Sequence, residues 1–310
     1  MEYHGRMDER ETHILPVARG ALVICPTPLG NLGDMTARAL EALRGADAVC
    51  AEDTRVTGRL LAAFGIEKRL ERLDENTIGA QAARIVERMR SGEVIAYCSD
   101  AGMPGVSDPG LRLVRAAREA GVRVEVLPGP TAVATAYVAS GCTNPRFFFG
   151  GFFPRKDGER TALLDGLRTL DAALVFYESP QRVASALACI AEAFPLREAA
   201  VCRELTKLHE EVVRGVTGEL ACEFARRERE GGVKGEIVLV IDGPSAEEGE
   251  RARENARSDA VARAAALASG GATQKDVVRT LKAEFGISRN VAYEIALAAL
   301  AGAGGSEGRA

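Results

Sequence analysis

The chain has no tryptophan, and only 5% of its residues are aromatic. We therefore do not expect a surface on which successive bases of a single-stranded nucleic acid stack. Of the three histidines, His4 and His13 lie near the N-terminus and only His209 lies in the body of the chain. No Cys/His cluster has metal-ligand spacing. These shortages disfavour zinc chemistry and histidine-dependent nucleophilic catalysis, and we expect no metal.

Two phosphate-binding signatures are also missing. No G-x-x-x-x-G-K-[ST] segment occurs, and no G-x-G-x-x-G follows the first apolar run, where a dinucleotide fingerprint belongs. No stretch approaches the ~18 uninterrupted apolar residues that a membrane-spanning helix needs. The sequence thus disfavours P-loop nucleotide hydrolases, simple dehydrogenases and a membrane role.

The cysteines do not form a disulfide pattern. They are odd in number, widely spaced and without a C-x-x-C pair: Cys25, Cys50, Cys98, Cys142, Cys189, Cys202 and Cys222. Several lie in apolar runs, which is typical of reduced core cysteines. The first 19 residues are charged and lack the apolar region of a signal peptide. We expect a reducing compartment, the cytoplasm.

Charge is unevenly distributed along the chain. The net charge is −4, yet residues 251–290 contain eight Lys or Arg against four Asp or Glu. Aside from this basic segment the chain is acidic. A basic C-terminal segment can contact a polyanion, and it can equally be the solvated surface of a helical region.

Short apolar runs alternate with segments of helical spacing, which predicts an α/β fold. The runs lie at residues 21–25, 48–51, 94–98, 122–127, 147–151, 173–177, 199–202 and 236–241. A change in composition at residues 141–146 indicates a linker between two α/β domains. The expected organisation is a disordered leader at 1–19, α/β domains at 20–140 and 146–243, a helical extension at 257–300 and a disordered tail at 301–310.

The extension follows a polar connection over residues 244–257. Three short helices are predicted in it, at residues 259–268, 273–285 and 288–300. Thr273 and Ser288 can cap the second and third, and Gly286 separates them. This pattern fits a helix-turn-helix-like bundle, and it fits a plain helical packing module as well.

Three glycine- and proline-rich turns each follow an apolar run and precede a helical pattern. They cover residues 26–34, 99–110 and 127–132. Ligands of open α/β sheets bind outside the carboxyl ends of the strands, so we predict that these turns line one pocket. Acidic residues such as Asp53 and Glu178 also follow apolar runs and can face that pocket. Helix capping would explain Asp53 almost as well.

Nine segments, taken in order, resemble one known family. They are Cys25–Asp34, Ala51–Arg55, Ser99–Pro104, Asp108–Gly110, Leu127–Pro130, Phe152–Lys156, Phe176–Ser179, Arg203–Lys207 and Lys234–Glu236. The family is that of the tetrapyrrole-methylase-like, S-adenosylmethionine-dependent methyltransferases, and within it the ribosomal RNA small-subunit methyltransferase I group. The resemblance covers about residues 21–243. One departure is Leu73-Asp74-Glu75-Asn76, where the group usually has a histidine.

The resemblance implies two α/β domains with S-adenosylmethionine in the cleft between them, a small C-terminal helical bundle and a homodimer. The residues that it assigns to the cofactor are Pro26, Asp100, Gly102, Met103, Pro104, Thr131, Ala132, Tyr177 and Gly235. The segment 100–104 would meet the methionine moiety and the ribose. Thr131, Ala132, Tyr177 and Gly235 would meet the adenine end.

The implied reaction is methyl transfer to the ribose 2′-hydroxyl of a cytidine in the decoding region of small-subunit (16S) rRNA, free or in the 30S subunit. Our hypothesis is that Asp53 or Glu204 accepts the hydroxyl proton. The cations expected to hold RNA phosphates are Arg55, Arg155, Lys156, Arg203 and Lys207.

Two alternatives remain open at this stage. One keeps the fold and changes the substrate to a corrin-precursor tetrapyrrole that is methylated on carbon. The basic C-terminal segment and the pair Arg155-Lys156 count against it, because a small macrocycle needs neither. The other is a catalytically silent RNA-binding protein, which would not bind S-adenosylmethionine.

Overall fold

The computed structural model describes residues 18–304, and these contain two five-stranded sheets. The strands of the first are β1 Ala21–Ile24, β2 Ala48–Ala51, β3 Leu70–Arg72, β4 Ile95–Cys98 and β5 Arg123–Val126. They lie in the order β3-β2-β4-β1-β5, and all pairs are parallel. The carboxyl ends of these strands therefore share one edge of the sheet, as the sequence-based prediction requires.

Helices cover both faces of the first sheet. They are α1 Ala37–Gly45, α2 Thr54–Ala63, α3 Ile78–Arg90 and α4 Leu111–Glu119. In β1, Leu22 and Ile24 pack in the core that contains α3 and α4, whereas Val23 packs in the core that contains α1 and α2. Burial on both faces explains why β1, β2 and β4 are continuous apolar runs in the sequence.

The second sheet is mixed. Its strands are β6 Phe147–Phe152, β7 Ala173–Glu178, β8 Glu198–Arg203, β9 Glu211–Val216 and β10 Ile237–Ile241, in the order β6-β7-β10-β8-β9. Only the pair β6–β7 is parallel. The associated helices are α5 Ala132–Ser140, α6 Asp157–Leu167, α7 Val183–Ala193 and α8 Thr217–Arg229. The start of β10 lies opposite the ends of β7 and β8, since Ile237 is paired with both Glu178 and Arg203.

Strands β3 and β9 were not predicted from the sequence. Both are edge strands, one in each sheet. An edge strand has an open side in contact with water, so it is short or carries polar residues rather than a continuous apolar run. The sequence of β3 is Leu-Glu-Arg, and that of β9 is Glu-Val-Val-Arg-Gly-Val.

The first and third C-terminal helices are longer than predicted, and the second agrees with its predicted bounds to within one residue. They are α9 Ala246–Ser269, α10 Gln274–Phe285 and α11 Arg289–Gly304. The predicted connection at 244–257 is in fact largely helical, because the Ser245 side chain and Glu248 form a capping box that starts α9. Helix α11 continues through residues 301–304, which had been assigned to the tail. The rest of the tail, and the leader up to residue 17, lie outside the described residues.

The described residues form two compact units. One extends to Asp165 and resumes over Ala172–Asp242, so it includes both sheets; the other comprises Gly166–Asp171 and the chain from Gly243 onward. The linker predicted at 141–146 lies between α5 and β6. The domain boundaries stay a prediction. Within the described residues, no helix is long and apolar enough to cross a membrane.

The three glycine- and proline-rich turns meet as predicted. Thr27 and Gly102 form a two-way backbone bridge, with N···O distances of 2.9 and 3.0 Å. The third turn joins them at Gly129, where a Cβ atom would lie 2.4 Å from Cγ of Pro26. A methylene cannot approach a methyl carbon so closely. The absence of a side chain at residue 129 is thus a condition for the first and third turns to pack together.

We expect Gly129→Ala to lower the free energy of unfolding by about 1–3 kcal/mol, because the new methyl group would push the first and third turns apart. Gly158→Ala is the matched control, since a Cβ atom at that helical glycine would meet nothing within 4 Å. The control should be neutral or stabilising by up to about 1 kcal/mol. Urea denaturation measures both, and equal midpoints for Gly129→Ala and the parent chain would contradict this packing argument.

Candidate functional site

A cavity of about 430 Å³ lies at the carboxyl ends of the first sheet's strands and reaches the second sheet. This volume is within the range of small-molecule sites. The first sheet's segments contribute Leu29, Glu52, Asp100, Ala101, Gly102, Met103, Val106, Asp108, Thr131 and Ala132. The second sheet's segments contribute Phe152, Tyr177, Glu178, Ser179, Pro180, Cys202, Leu205, Gly235, Glu236, Ile237 and Val238. The walls are therefore mainly apolar, with polar groups gathered at the strand ends.

Seven of the nine residues assigned to the cofactor line this cavity: Asp100, Gly102, Met103, Thr131, Ala132, Tyr177 and Gly235. The other two do not. Pro26 packs on Gly129 and thereby supports the turns, and Pro104 is buried. The structure thus brings the expected segments together, while the contact that each would make with a ligand stays a prediction.

Three carboxylates of the first sheet's turns face the cavity. Burial raises the pKa values of Glu52 and Asp100, and the negative charges of neighbouring acids raise them further. The same two causes raise the pKa of Asp108 to about 6, with the charge of Glu52 as the main neighbour. A concentration of partly buried negative charge favours a ligand with a positive charge.

Asp108 follows a strained position of the chain. Ser107 has a φ of +61°, which residues other than glycine rarely adopt. This left-handed residue turns the chain just before Asp108. Asp108-Pro109-Gly110 belongs to a segment that resembles the family, but the sequence indicates no role for Asp108, since neither its burial nor the conformation of Ser107 can be inferred from the residue types.

Glu178, at the end of β7, is a lining residue of the cavity, but its side chain is fully buried. One carboxylate oxygen accepts a hydrogen bond from Ser179 N at 2.6 Å and forms an ion pair with Arg182. The other oxygen is buried and has no hydrogen-bond partner. A buried carboxylate oxygen without a partner is costly, and Nη1 of Arg182 is likewise buried without one, so this ion pair is incompletely hydrogen-bonded.

Asp53, one of the two predicted bases, does not line the cavity. It caps α2 by accepting from Arg55 N at 2.8 Å, and its carboxylate also pairs with the Arg55 guanidinium at 2.6 Å. These contacts hold the pKa of Asp53 far below its usual range. Its backbone N–H in turn donates to Asp100 Oδ1 at 3.1 Å. In this structure Asp53 orients Asp100 and is a weak base.

Glu204, the other predicted base, is also occupied by structural contacts. Its Oε1 accepts from Glu236 N at 2.9 Å and pairs with Lys207 Nζ at 3.0 Å. The hydrogen bond from Glu236, followed by the ion pair with Lys207, lowers the pKa of Glu204. A Cβ atom at Gly235 would lie 2.4 Å from Glu204 Cγ, so the glycine allows this carboxylate to pack behind the cavity wall. Glu204 is therefore a positioning group for the Gly235 segment.

The five predicted phosphate-binding cations differ in availability. Arg55 pairs with Asp53, Lys156 with Glu159 at 2.8 Å, Arg203 with Glu211 at 3.0 Å, and Lys207 with Glu204 and Glu236. Arg155 differs from the other four: it is exposed, and among the described residues it has no acidic partner within 4.0 Å. Arg203 and Lys207 are mostly buried, which makes them poor phosphate ligands in this conformation.

Comparison with known proteins defines the family. Residues 21–221 match the family model described as Tetrapyrrole (Corrin/Porphyrin) Methylases. The chain belongs to this family. The match covers the first sheet and strands β6 to β9 of the second, and thus most of the segments that line the cavity. Within residues 18–304, no group of three or more His, Cys, Asp or Glu side chains is arranged to hold a metal ion.

Members of the family with curated names include close relatives. A ribosomal RNA small subunit methyltransferase I of Xylella fastidiosa is 44% identical over 77% of this chain and 87% of its own. The ribosomal RNA small subunit methyltransferase I of Escherichia coli O157:H7 is 40% identical over 90% of this chain and 96% of its own. Among solved structures, a diphthine synthase superposes with a TM-score of 0.56 at 17% identity, over 74% of this chain and 93% of its own. That last likeness concerns the fold alone.

The raised pKa of Asp108 predicts how stability depends on pH. Its folded-state pKa lies above the unfolded value of about 4, so the carboxylate reduces stability as pH rises from about 4 to 6, and that loss persists above pH 6. We expect Asp108→Asn to raise the free energy of unfolding at pH 8 by roughly 1 kcal/mol. At pH 4 the difference should disappear.

Asp53→Asn is the control of opposite sign. Because the folded-state pKa of Asp53 is lowered, its contribution to stability is present above the unfolded pKa and is lost as pH falls. The variant should therefore be less stable than the parent chain at pH 8. Denaturant titrations at pH 4 and pH 8 measure both variants. If Asp108→Asn is less stable than the parent chain at pH 8, the inference that the ionised Asp108 carboxylate reduces stability is wrong.

Proposed function

We propose that this protein is an S-adenosylmethionine-dependent methyltransferase of small-subunit rRNA, and that it methylates the ribose 2′-hydroxyl of a cytidine in the decoding region of 16S rRNA. The observation that carries the proposal is the acid-lined cavity at the strand ends of a chain 40–44% identical to relatives named for rRNA methylation. The proposal includes a homodimer, as the sequence resemblance implies, and a cytoplasmic location, as the cysteine usage predicts.

The lining of the cavity fits the proposed cofactor. Asp100 and Glu52 line the cavity and supply negative charge that would attract a sulfonium and an α-amino group. Apolar walls suit the adenine ring. When bound, S-adenosylmethionine supplies a methyl group that its positively charged sulfur activates for transfer to a nucleophile.

The proposal assigns the parts of the cofactor as the sequence resemblance implies. Asp100, Gly102 and Met103 hold the methionine moiety and the ribose. Pro26 and Pro104 support this segment from behind. The adenine end lies against Thr131, Ala132, Tyr177 and Gly235, all of which line the cavity.

We propose Asp108 as the group that accepts the proton of the substrate hydroxyl. It lines the cavity, it is half-buried, and with a pKa of about 6 it is ionised yet more basic than Asp53 or Glu204. A base of this kind contributes roughly 10²–10⁴-fold to a rate, and alignment of the reacting atoms contributes more. Asp53 then acts through Asp100, and Glu204 through the Gly235 segment.

The proposal places the RNA at the mouth of the cavity, near Arg155. This exposed arginine follows Phe152, whose ring lines the cavity and is itself 59% exposed. Arg155 is free to bind a phosphate, as expected from its sequence motif. Lys156 and Arg55 can contribute when their acidic neighbours exchange for phosphate.

A second candidate is methylation of a tetrapyrrole on carbon. The name of the family favours it, since the matched family model is that of tetrapyrrole methylases. The identity of 40–44% to relatives named for rRNA methylation favours RNA. A binding protein without activity would share the sequence identity but not the cofactor affinity.

Cofactor binding provides the first test. We expect Asp100→Asn to weaken binding of S-adenosylmethionine about tenfold and binding of the neutral S-adenosylhomocysteine much less, because the substitution removes a charge but keeps an acceptor for Asp53 N. Isothermal titration calorimetry measures both ligands, with Asp165→Asn as the control. If the parent chain binds neither ligand, the methyltransferase proposal fails.

Methyl transfer provides the second test. Tritium from labelled S-adenosylmethionine should enter 30S subunits from a strain that lacks the modification, at a cytidine 2′-hydroxyl, and should not enter a tetrapyrrole precursor. Asp108→Asn should lower kcat by about 10²-fold or more, with cofactor affinity changed far less. In the parent enzyme kcat should fall below pH 6. Equal kcat values for Asp108→Asn and the parent chain would remove Asp108 from the mechanism.

A further inference from the structure

Helix α10 has two chemically different faces. Val277 and Leu281 are fully buried in the core that α9, α10 and α11 form. Lys275, Arg279 and Lys282, at positions i, i+4 and i+7, lie on the opposite face and are exposed. At 1.5 Å per residue, these three cations span about 10 Å along the helix.

The turn after α10 adds a fourth cation to this face. Gly286 adopts a φ of +61°, which ends the helix in a left-handed residue. Ser288 then caps α11, with its Oγ accepting from Val291 N at 3.4 Å. The tight turn places Arg289, the first residue of α11, beside Lys282.

The four side chains line a shallow groove of about 530 Å³. Its lining consists of Lys275, Val278, Arg279, Lys282, Ala283 and Arg289. Every charged residue in that lining is a cation, and Val278 and Ala283 form an apolar floor. We call this feature the basic groove.

Most of the positive charge of the basic groove is not neutralised. Arg279 pairs with Asp276 at 2.7 Å. Among the described residues, no carboxylate lies within 4.0 Å of the charged groups of Lys275, Lys282 or Arg289. Like charges held together without counter-charges repel one another, so an arrangement of this kind is stabilised by a bound polyanion.

The shape of the basic groove indicates which polyanion. It is open, three of its cations extend over about 10 Å of α10, and they come from long, flexible side chains. A site for a single small phosphate instead surrounds the anion with main-chain N–H groups. An open row of cations with an apolar floor suits the sugar-phosphate backbone of a nucleic acid, which presents phosphates at regular intervals.

We propose that the basic groove binds the phosphate backbone of the RNA substrate and supplies affinity that does not depend on base sequence. This inference rests on the proposed function for its choice of RNA. It decides between the two interpretations of the basic C-terminal segment that the sequence leaves open. The contact lies entirely within the C-terminal unit and uses none of the residues that line the cavity.

The test replaces Lys275, Lys282 and Arg289 together by Gln in the full-length chain. A matched control replaces Arg90, Arg118 and Arg229, three exposed arginines on α3, α4 and α8, also by Gln, so that net charge changes equally. Affinity for in vitro transcribed small-subunit rRNA is measured by filter binding between 50 and 300 mM KCl. Circular dichroism and S-adenosylmethionine affinity verify that both variants are folded.

We expect the groove variant to bind this RNA about tenfold or more weakly than the control at 100 mM KCl. Log affinity should fall less steeply with log salt concentration, with a slope smaller in magnitude by about 2 than that of the control, because fewer counterions are released. In the methylation assay, KM for 30S subunits should rise while kcat and cofactor affinity stay unchanged. These results together would support the proposal.

Equal affinities and equal salt slopes for the two variants would overturn the proposal for the basic groove and leave the methyltransferase function intact, provided that the parent chain methylates 30S subunits. If the parent chain neither binds nor methylates RNA, the proposed function itself fails. Groove-dependent binding to phosphatidylglycerol vesicles without any effect on RNA affinity would likewise overturn the proposal, since it would assign the groove to a lipid surface.

Discussion

The two-way backbone bridge between Thr27 and Gly102 is the contact on which the candidate site depends. It joins the turns after β1 and β4, and the packing of Pro26 on Gly129 adds the turn after β5. Parallel pairing places these strand ends side by side, and the glycines remove the side chains that would hold the turns apart. Without this closure, Asp100 and Thr131 would not face a common cavity.

The second sheet completes the cavity through its own strand ends. Glu178, the last residue of β7, lies opposite Ile237 of β10, and the segment before β10 is held by the bond from Glu236 N to Glu204. The acidic groups consequently divide by environment. Asp53 and Glu204 are saturated with donors and are weak bases, whereas Asp108 is desolvated among other acids and is more basic. Roles in the site follow from these contacts rather than from residue type.

Sequence patterns predicted the parts of the fold that are buried on both sides. The runs that became β1, β2 and β4 are apolar throughout because helices cover both faces of the sheet. The edge strands β3 and β9 were missed because a strand with one open edge does not need such a run. The beginning of α9 was missed because polar residues such as Glu247 and Glu248 suit an exposed helix as well as a loop.

By itself, the sequence determined the α/β class, the family resemblance and the three turns that meet, since strand periodicity and turn residues act locally along the chain. Only the tertiary structure decided how basic each acid is. Asp53 and Asp108 are the same residue type, each in a segment between a strand and the next helix, yet one meets Arg55 and the other lies close to Glu52 at the cavity. A carboxylate's basicity depends on solvent and charges contributed by distant segments, and those are brought together only when the chain is folded.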